Sequence, residues 1–104
     1  MADTSSVALA INHYVSMIPR GKITTYKQVA ESVGIHNYRQ VGFVLHQNRD
    51  PEKIPCHRVV KRNGILAKGY SMGGETAQKK LLKSEGIVFS KNGKIKLADF
   101  FWKG

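Results

Sequence analysis

"ITTYKQVAESVGIHNYRQVGFVLHQN", residues 23–48, decides the fold. Thr25 and Gln28 stand at capping-box spacing at the start of a helical pattern. Gly34 supplies the left-handed residue that closes a helix. Ile35 and His36 make a short turn. A second helix can begin at Asn37 and bury Val41, Val44 and Leu45. Two short helices joined by a tight turn read as a helix-turn-helix, whose second helix enters a DNA groove. Many small helical domains share this pattern, so plain helix packing is the competing reading.

Upstream, Ser5 or Ser6 can cap a first helix, along which Val7, Ile11, Tyr14, Val15 and Ile18 keep helical spacing. Pro19 and Gly21 end it. After Pro51 the character changes. "RVVK" and "ILAK" are short strand-like runs on either side of Arg62, Asn63 and Gly64. Asn-Gly favours the positive φ values of a hairpin turn, and a hairpin behind a helix-turn-helix has the form of a wing. Residues 75–85 read as a further helix with Ala77, Leu81 and Leu82 apolar, closed by Gly86. "IVFSKNGKIKL" holds a second Asn-Gly hairpin. The tail "ADFFWKG" is expected to fold back, because Phe100, Phe101 and Trp102 are costly to expose. No linker, low-complexity run or repeat interrupts the chain. The expected architecture is mainly α with short β hairpins, a winged helix-turn-helix-like single domain over residues 1–104.

The composition agrees with a folded domain: 104 residues, 41% hydrophobic, with some aromatics. No apolar run approaches the ~20 residues that span a bilayer. The N-terminus lacks the basic start of a signal peptide. A single cysteine makes no internal disulfide, which fits a reducing compartment, cytoplasmic or nuclear. The net charge of +10 is spread along the chain rather than gathered in a tail. It suggests a polyanionic partner, nucleic acid first and an acidic membrane surface second.

The one thiol, Cys56, lies in "KIPCHRVVKRNGILAKGYS", residues 53–71. A lone cysteine is by default a small buried hydrophobe. Its neighbours point elsewhere. Pro55 stiffens the backbone and pushes Ile54 towards an extended conformation. His57 and Arg58 are basic groups of the kind that lower a thiol pKa and so favour the nucleophilic thiolate. On an extended segment adjacent side chains diverge, so a water could carry the proton between Cys56 and His57. The histidines lack metal-ligand spacing, and no GxGxxG, P-loop or GxSxG occurs.

"IPCHRVV" resembles the active-site motif of the O6-alkylguanine-DNA alkyltransferases, the suicide repair proteins for alkylated DNA. "GKITTYKQVA" is similar to that family's lead into its helix-turn-helix, "YRQVG" to its recognition helix, "GYSMGG" to its pocket loop and "KKLLKSEG" to its final helix. In order, these cover about residues 18–88. The resemblance implies that Cys56 accepts the alkyl group, His57 acts as base through a water, Glu85 orients His57, and Asn48 braces the turn before the active site. Tyr26 would crowd the target phosphate and offer its hydroxyl to the base, and Val59, Tyr70 and Ser71 would line the base pocket. Arg39 would replace the flipped nucleotide in the stack, with Thr25, Tyr38, Gln40 and Gly42 on the DNA-binding side. Taken singly, Glu85 reads as a helix-end residue, Asn48 as a turn residue, Arg39 as a phosphate clamp, and Tyr26 and Tyr70 as core aromatics.

The chain also departs from the family pattern. The inter-helix turn is one residue short, Met72 is inserted after Ser71, and the family's additional N-terminal domain is expected to be absent. The compact outline and "FFWKG" tail resemble the alkyltransferase-like proteins, which bind and flip the lesion without an acceptor cysteine and hand it to excision repair. The expectation is a monomer that binds duplex DNA containing O6-alkylguanine and consumes itself by one transfer to Cys56, with no cofactor, metal or membrane. A non-catalytic lesion sensor, with excision-repair proteins as partners, and a winged-helix transcription regulator are the alternatives.

Overall fold

A computed structural model describes residues 6–66 and 74–104. Tyr70, Ser71 and Met72 therefore lie outside the described residues. The chain is mostly helical: α1 (Ser6–Ser16), β1 (Thr24–Thr25), α2 (Tyr26–Ser32), α3 (Tyr38–His46), a 3-10 turn (Cys56–Arg58), β2 (Val59–Val60), α4 (Gly74–Ser84) and α5 (Leu97–Phe100).

Local chemistry builds the helix-turn-helix. Thr25 Oγ1 accepts from Gln28 N at 3.1 Å, capping α2. The reciprocal half of a capping box is missing, because the Gln28 amide turns away to Ser32 Oγ at 3.1 Å. Gly34 takes φ +81° after α2. Asn37 Oδ1 then accepts from Arg39 N at 3.0 Å and caps α3. Val29 and Ala30 of α2 and Val41, Val44 and Leu45 of α3 pack against Ala8, Ile11, Tyr14 and Val15 of α1, and this first core cluster also encloses Cys56 and Val59.

Of the expected wing, the second run, residues 65–68, is described only to Leu66, and the first run pairs with a strand the sequence pattern did not announce. Val59 and Val60 pair in parallel with Thr24 and Thr25, and α2 and α3 form the crossover. Strand alternation sends Val59 into the first core and Val60 into a second, with Ile23, Leu66, Leu82, Ile87 and Ile95. Isolated hairpins are marginal in water, whereas this pairing is buried on both faces. The Asn-Gly turn does form: Gly64 N donates to Lys61 O at 2.9 Å, and Lys61 N to Ile65 O at 3.0 Å. Residues 91–93 repeat that geometry, with Gly93 N on Ser90 O at 3.0 Å and Ser90 N on Lys94 O at 2.8 Å. In both turns the glycine alone has positive φ, so these are type I turns followed by a left-handed glycine rather than the two-residue mirror-image turn. Ile95 N donates to Gly64 O at 2.9 Å and stitches the two turns together.

The aromatic tail folds back as expected. Ile23 N donates to Phe100 O at 2.9 Å and Trp102 N to Ile23 O at 2.8 Å, and the Trp102 ring stands 5.1 Å from that of Tyr14. On α4 the inward face differs from the apolar pattern: Leu81 is 40% exposed and Gln78 only 1%. The stripe that meets the core runs through Gln78 and Leu82, one helical turn apart, and leaves Leu81 on the flank.

Candidate active site and nucleic-acid face

Asn48, just beyond α3, is buried and spends its amide on the segment leading to the thiol. Its Nδ2 donates to Ile54 O at 2.7 Å and to Cys56 Sγ at 3.3 Å, while its Oδ1 accepts from Asp50 N at 2.9 Å. Pro55 opens the 3-10 turn, and Arg58 N donates back to Pro55 O at 2.9 Å. Burial pushes the Cys56 thiol above its ordinary value, although the Asn48 amide pulls the other way. This corrects the expected lowering by basic neighbours. The turn is 3-10 rather than extended, and it sends Arg58 to Ile18 O at 2.7 Å and to Glu85 instead of to the sulfur.

Glu85, just past α4, gathers both basic neighbours. Arg58 Nε donates to its Oε1 at 2.9 Å and Nη2 to its Oε2 at 2.6 Å, while His57 Nε2 lies 2.9 Å from Oε2. Burial alone would raise the Glu85 pKa, but the Arg58 and His57 hydrogen bonds and charges outweigh it and hold the carboxyl below its ordinary value. An ionised carboxylate only accepts, so His57 carries its proton on Nε2. Nδ1 is then the lone-pair nitrogen, and it is buried with no hydrogen-bond partner among the described residues. Burial also lowers the His57 pKa, despite Glu85, so the ring is neutral near pH 7. A neutral imidazole with one fixed and one free nitrogen has the form of a general base.

A groove of about 560 Å³ lies between α2, α3 and the turn at residues 61–63. Tyr26, Tyr38, Arg39 and Gly42 line it. Burial, together with the nearby Cys56, pushes the Tyr26 hydroxyl up to about 12, so it keeps its proton. An added Cβ at Gly42 would stand 3.9 Å from the Tyr26 ring, an ordinary contact. Thr25 is buried as a cap, and Gln40 is half-buried; neither lines the groove. Val59 is fully buried in the first core rather than in an open pocket.

Reading residue types in order missed Lys27, His46, Lys61 and Arg62, which also line the groove and make it basic. It also missed Gln78, whose Nε2 donates to His57 O at 3.0 Å and Val59 O at 3.3 Å. The available signal was a polar residue one turn before Leu82 on an otherwise apolar stripe. Among the described residues, no group of three acidic, histidine or cysteine side chains could hold a metal ion, and no helix is long and apolar enough to cross a membrane.

The family profile for the DNA-binding domain of 6-O-methylguanine DNA methyltransferase matches residues 7–87. Alkyltransferase-like protein 1 of Schizosaccharomyces pombe is 34% identical over 94 residues, covering 86% of this chain and 87% of that protein. The methylated-DNA–protein-cysteine methyltransferase of Pyrobaculum aerophilum is 48% identical over 75 residues, covering 72% of this chain. The chain spans about half of that relative's length, 49%. Among solved structures, S. pombe Atl1 in complex with damaged DNA containing O6-carboxymethylguanine superposes with a TM-score of 0.84 at 30% identity, covering 98% of this chain and 99% of that one. The O6-methylguanine-DNA methyltransferase of Pyrococcus kodakaraensis superposes with 0.70 at 30% identity, covering 81% of this chain and 48% of that one. With a family profile spanning most of its length, the chain belongs to the O6-methylguanine DNA methyltransferase family of DNA repair proteins, through that family's DNA-binding domain.

Proposed function

We propose that this protein binds duplex DNA, flips an O6-alkylguanine out of the stack and transfers the alkyl group to Cys56. The observation that carries this reading is the arrangement of Asn48, Cys56, His57 and Glu85: a buried thiol held by an amide, beside a neutral histidine with one nitrogen free. The basic groove along α3 supports the DNA-binding part. Flipping is required because guanine O6 lies inside the stack.

In the proposed step the Cys56 thiol gives its proton, through a water, to His57 Nδ1. The sulfur attacks the alkyl carbon, and the carbon–O6 bond breaks with its electron pair going to guanine. The Tyr26 hydroxyl donates a proton to the leaving guanine and recovers one from the solvent side of the groove. The product is a thioether, which no group in the site can cleave, so each molecule acts once.

A non-catalytic lesion sensor is the second reading. It is favoured by the outline, since the chain matches almost the whole of the alkyltransferase-like protein and about half of the methyltransferases. Intact mass after incubation with O6-methylguanine DNA separates the two. Transfer adds one methyl, ~14 Da, to the wild type and nothing to Cys56→Ala, because the thiolate is the strong nucleophile of the site. A wild type that binds the lesion yet keeps its mass is a sensor.

A further inference from the structure

Helix α4 reaches the Cys56–Arg58 turn by two routes. Glu85, just past its end, holds the His57 ring and the Arg58 guanidinium. Gln78 holds the main chain of the same turn, donating Nε2 to the His57 and Val59 carbonyl oxygens at 3.0 and 3.3 Å. Residues 78 and 85 are two helical turns apart, on one stripe. His57 is therefore held at both ends, ring and carbonyl, from one helix.

Packing alone does not account for this residue. The Gln78 Oε1 is buried with no hydrogen-bond partner among the described residues, a cost that a leucine of similar size would avoid. The amide Nε2 offers two hydrogens to two carbonyls, and it adds no charge beside the base. A hydroxyl would satisfy only one of the two, and an ionised carboxylate would repel both.

We propose that Gln78 is a positioning residue for alkyl transfer: by holding the His57 and Val59 carbonyls it keeps the His57 imidazole in the register where Glu85 binds Nε2 and leaves Nδ1 free as the base. The inference rests on the reading of Cys56 as alkyl acceptor. The charged groups facing His57 are Glu85 from the end of α4, Arg58 from its own turn, and Arg20 and Glu52 across a rear cleft of about 410 Å³. Substitution of Gln78 leaves all of them in place.

The test uses the full chain with Gln78→Met, which keeps length but removes the donors. Gln78→Asn, which keeps an amide too short to reach both carbonyls, is the milder variant should methionine fail to fold. Three readouts are taken: Cys56 alkylation by O6-benzylguanine from neutral to alkaline pH, nitrogen-edited NMR of the His57 ring, and the thermal unfolding midpoint. The expected result is a folded variant whose alkylation at neutral pH falls roughly tenfold to a hundredfold, the usual consequence of a misplaced reacting group. That deficit shrinks at alkaline pH, where hydroxide ionises the thiol without His57. The His57 signals change from one tautomer to a mixture. A folded variant with the wild-type rate, a deficit equal at every pH, or an unchanged His57 tautomer overturns the proposal and leaves Gln78 as packing. If the wild type itself is not alkylated, the acceptor reading fails, and the NMR comparison alone decides whether Gln78 positions His57.

Discussion

Asn48 donates its side-chain amide to the Cys56 sulfur at 3.3 Å, tying the residue just beyond α3 to the thiol. The same nitrogen holds Ile54 O at 2.7 Å. Asn48→Ala should leave the Ile54 carbonyl with only the Cys56 N–H, unpair the Asp50 N–H and lower stability by roughly 1–3 kcal/mol. It should also raise the thiol pKa further, because the lost donor favours the thiolate. Urea denaturation and the pH dependence of iodoacetamide labelling check both effects; a thiol pKa that falls or stays put would contradict the assignment.

Glu85→Gln should be more damaging to chemistry than to shape. The variant leaves Arg58 without its carboxylate and no longer dictates which His57 nitrogen bears the proton. Loss of a correctly poised base typically costs about 10²–10⁴-fold, so single-turnover repair of O6-methylguanine DNA should fall by that order while lesion binding persists. Repair at the wild-type rate would remove Glu85 from the mechanism.

The pKa directions set a window of stability. His57 is held below its ordinary 6.5, so the unfolded chain binds its proton first, and stability is lost as pH falls below that value. Glu85 is held below 4.5 and adds a further loss as pH falls past that point. Cys56 is held above 9.0, so the unfolded thiol ionises first, and stability declines as pH rises past it. Thermal midpoints should therefore plateau between the His57 and Cys56 values. Cys56→Ala should abolish the thiol's contribution to the alkaline decline, and His57→Gln should abolish the fall that begins near pH 6.5 and also weaken the Glu85 loss below it.

Arg39, exposed at the start of α3, separates base flipping from chemistry. A guanidinium can fill the gap left by a flipped guanine through its planar, stacking face, which an ammonium lacks. Arg39→Ala should slow repair in duplex DNA by roughly tenfold or more, about 1.4 kcal/mol in the barrier. It should barely affect alkylation by free O6-benzylguanine, and Arg39→Lys should rescue duplex repair poorly. Equal duplex rates in all three proteins would reduce Arg39 to one charge of a basic face.

The two Asn-Gly turns share a hydrogen-bond pattern but not a tolerance. Gly64 has φ +78°, and an added Cβ would run into the Ile95 carbonyl oxygen, whereas at Gly93, with φ +76°, nothing stands in the way. Gly93→Ala should cost only the left-handed backbone penalty, about 1–2 kcal/mol. Gly64→Ala should cost clearly more, because backbone must also shift. Thermal unfolding of the pair decides it, and equal midpoints would mean that the Gly64–Ile95 contact yields freely.

Both helices of the helix-turn-helix were legible in the sequence because their causes are local. Thr25 and Asn37 cap helices that begin one residue later, and Gly34 supplies the left-handed backbone between them. The Cys56 motif was legible from its own neighbours, whereas Asn48 and Glu85 taken singly read as a turn residue and a helix-end residue, and only the family resemblance attached them to Cys56 and His57. Three features depended on contacts between distant segments. Val59 and Val60 took Thr24 and Thr25 as partners, a pairing that no local pattern announced and that buries both faces of the strand. The Cys56 pKa moved up, against the influence expected of its neighbours, because folding buried the sulfur and turned Arg58 towards Glu85. Gln78 rather than Leu81 faced inward, where its amide meets the His57 and Val59 carbonyls. Caps and turns are set within a few residues of chain; desolvation and the satisfaction of buried polar groups exist only once remote segments have closed around them.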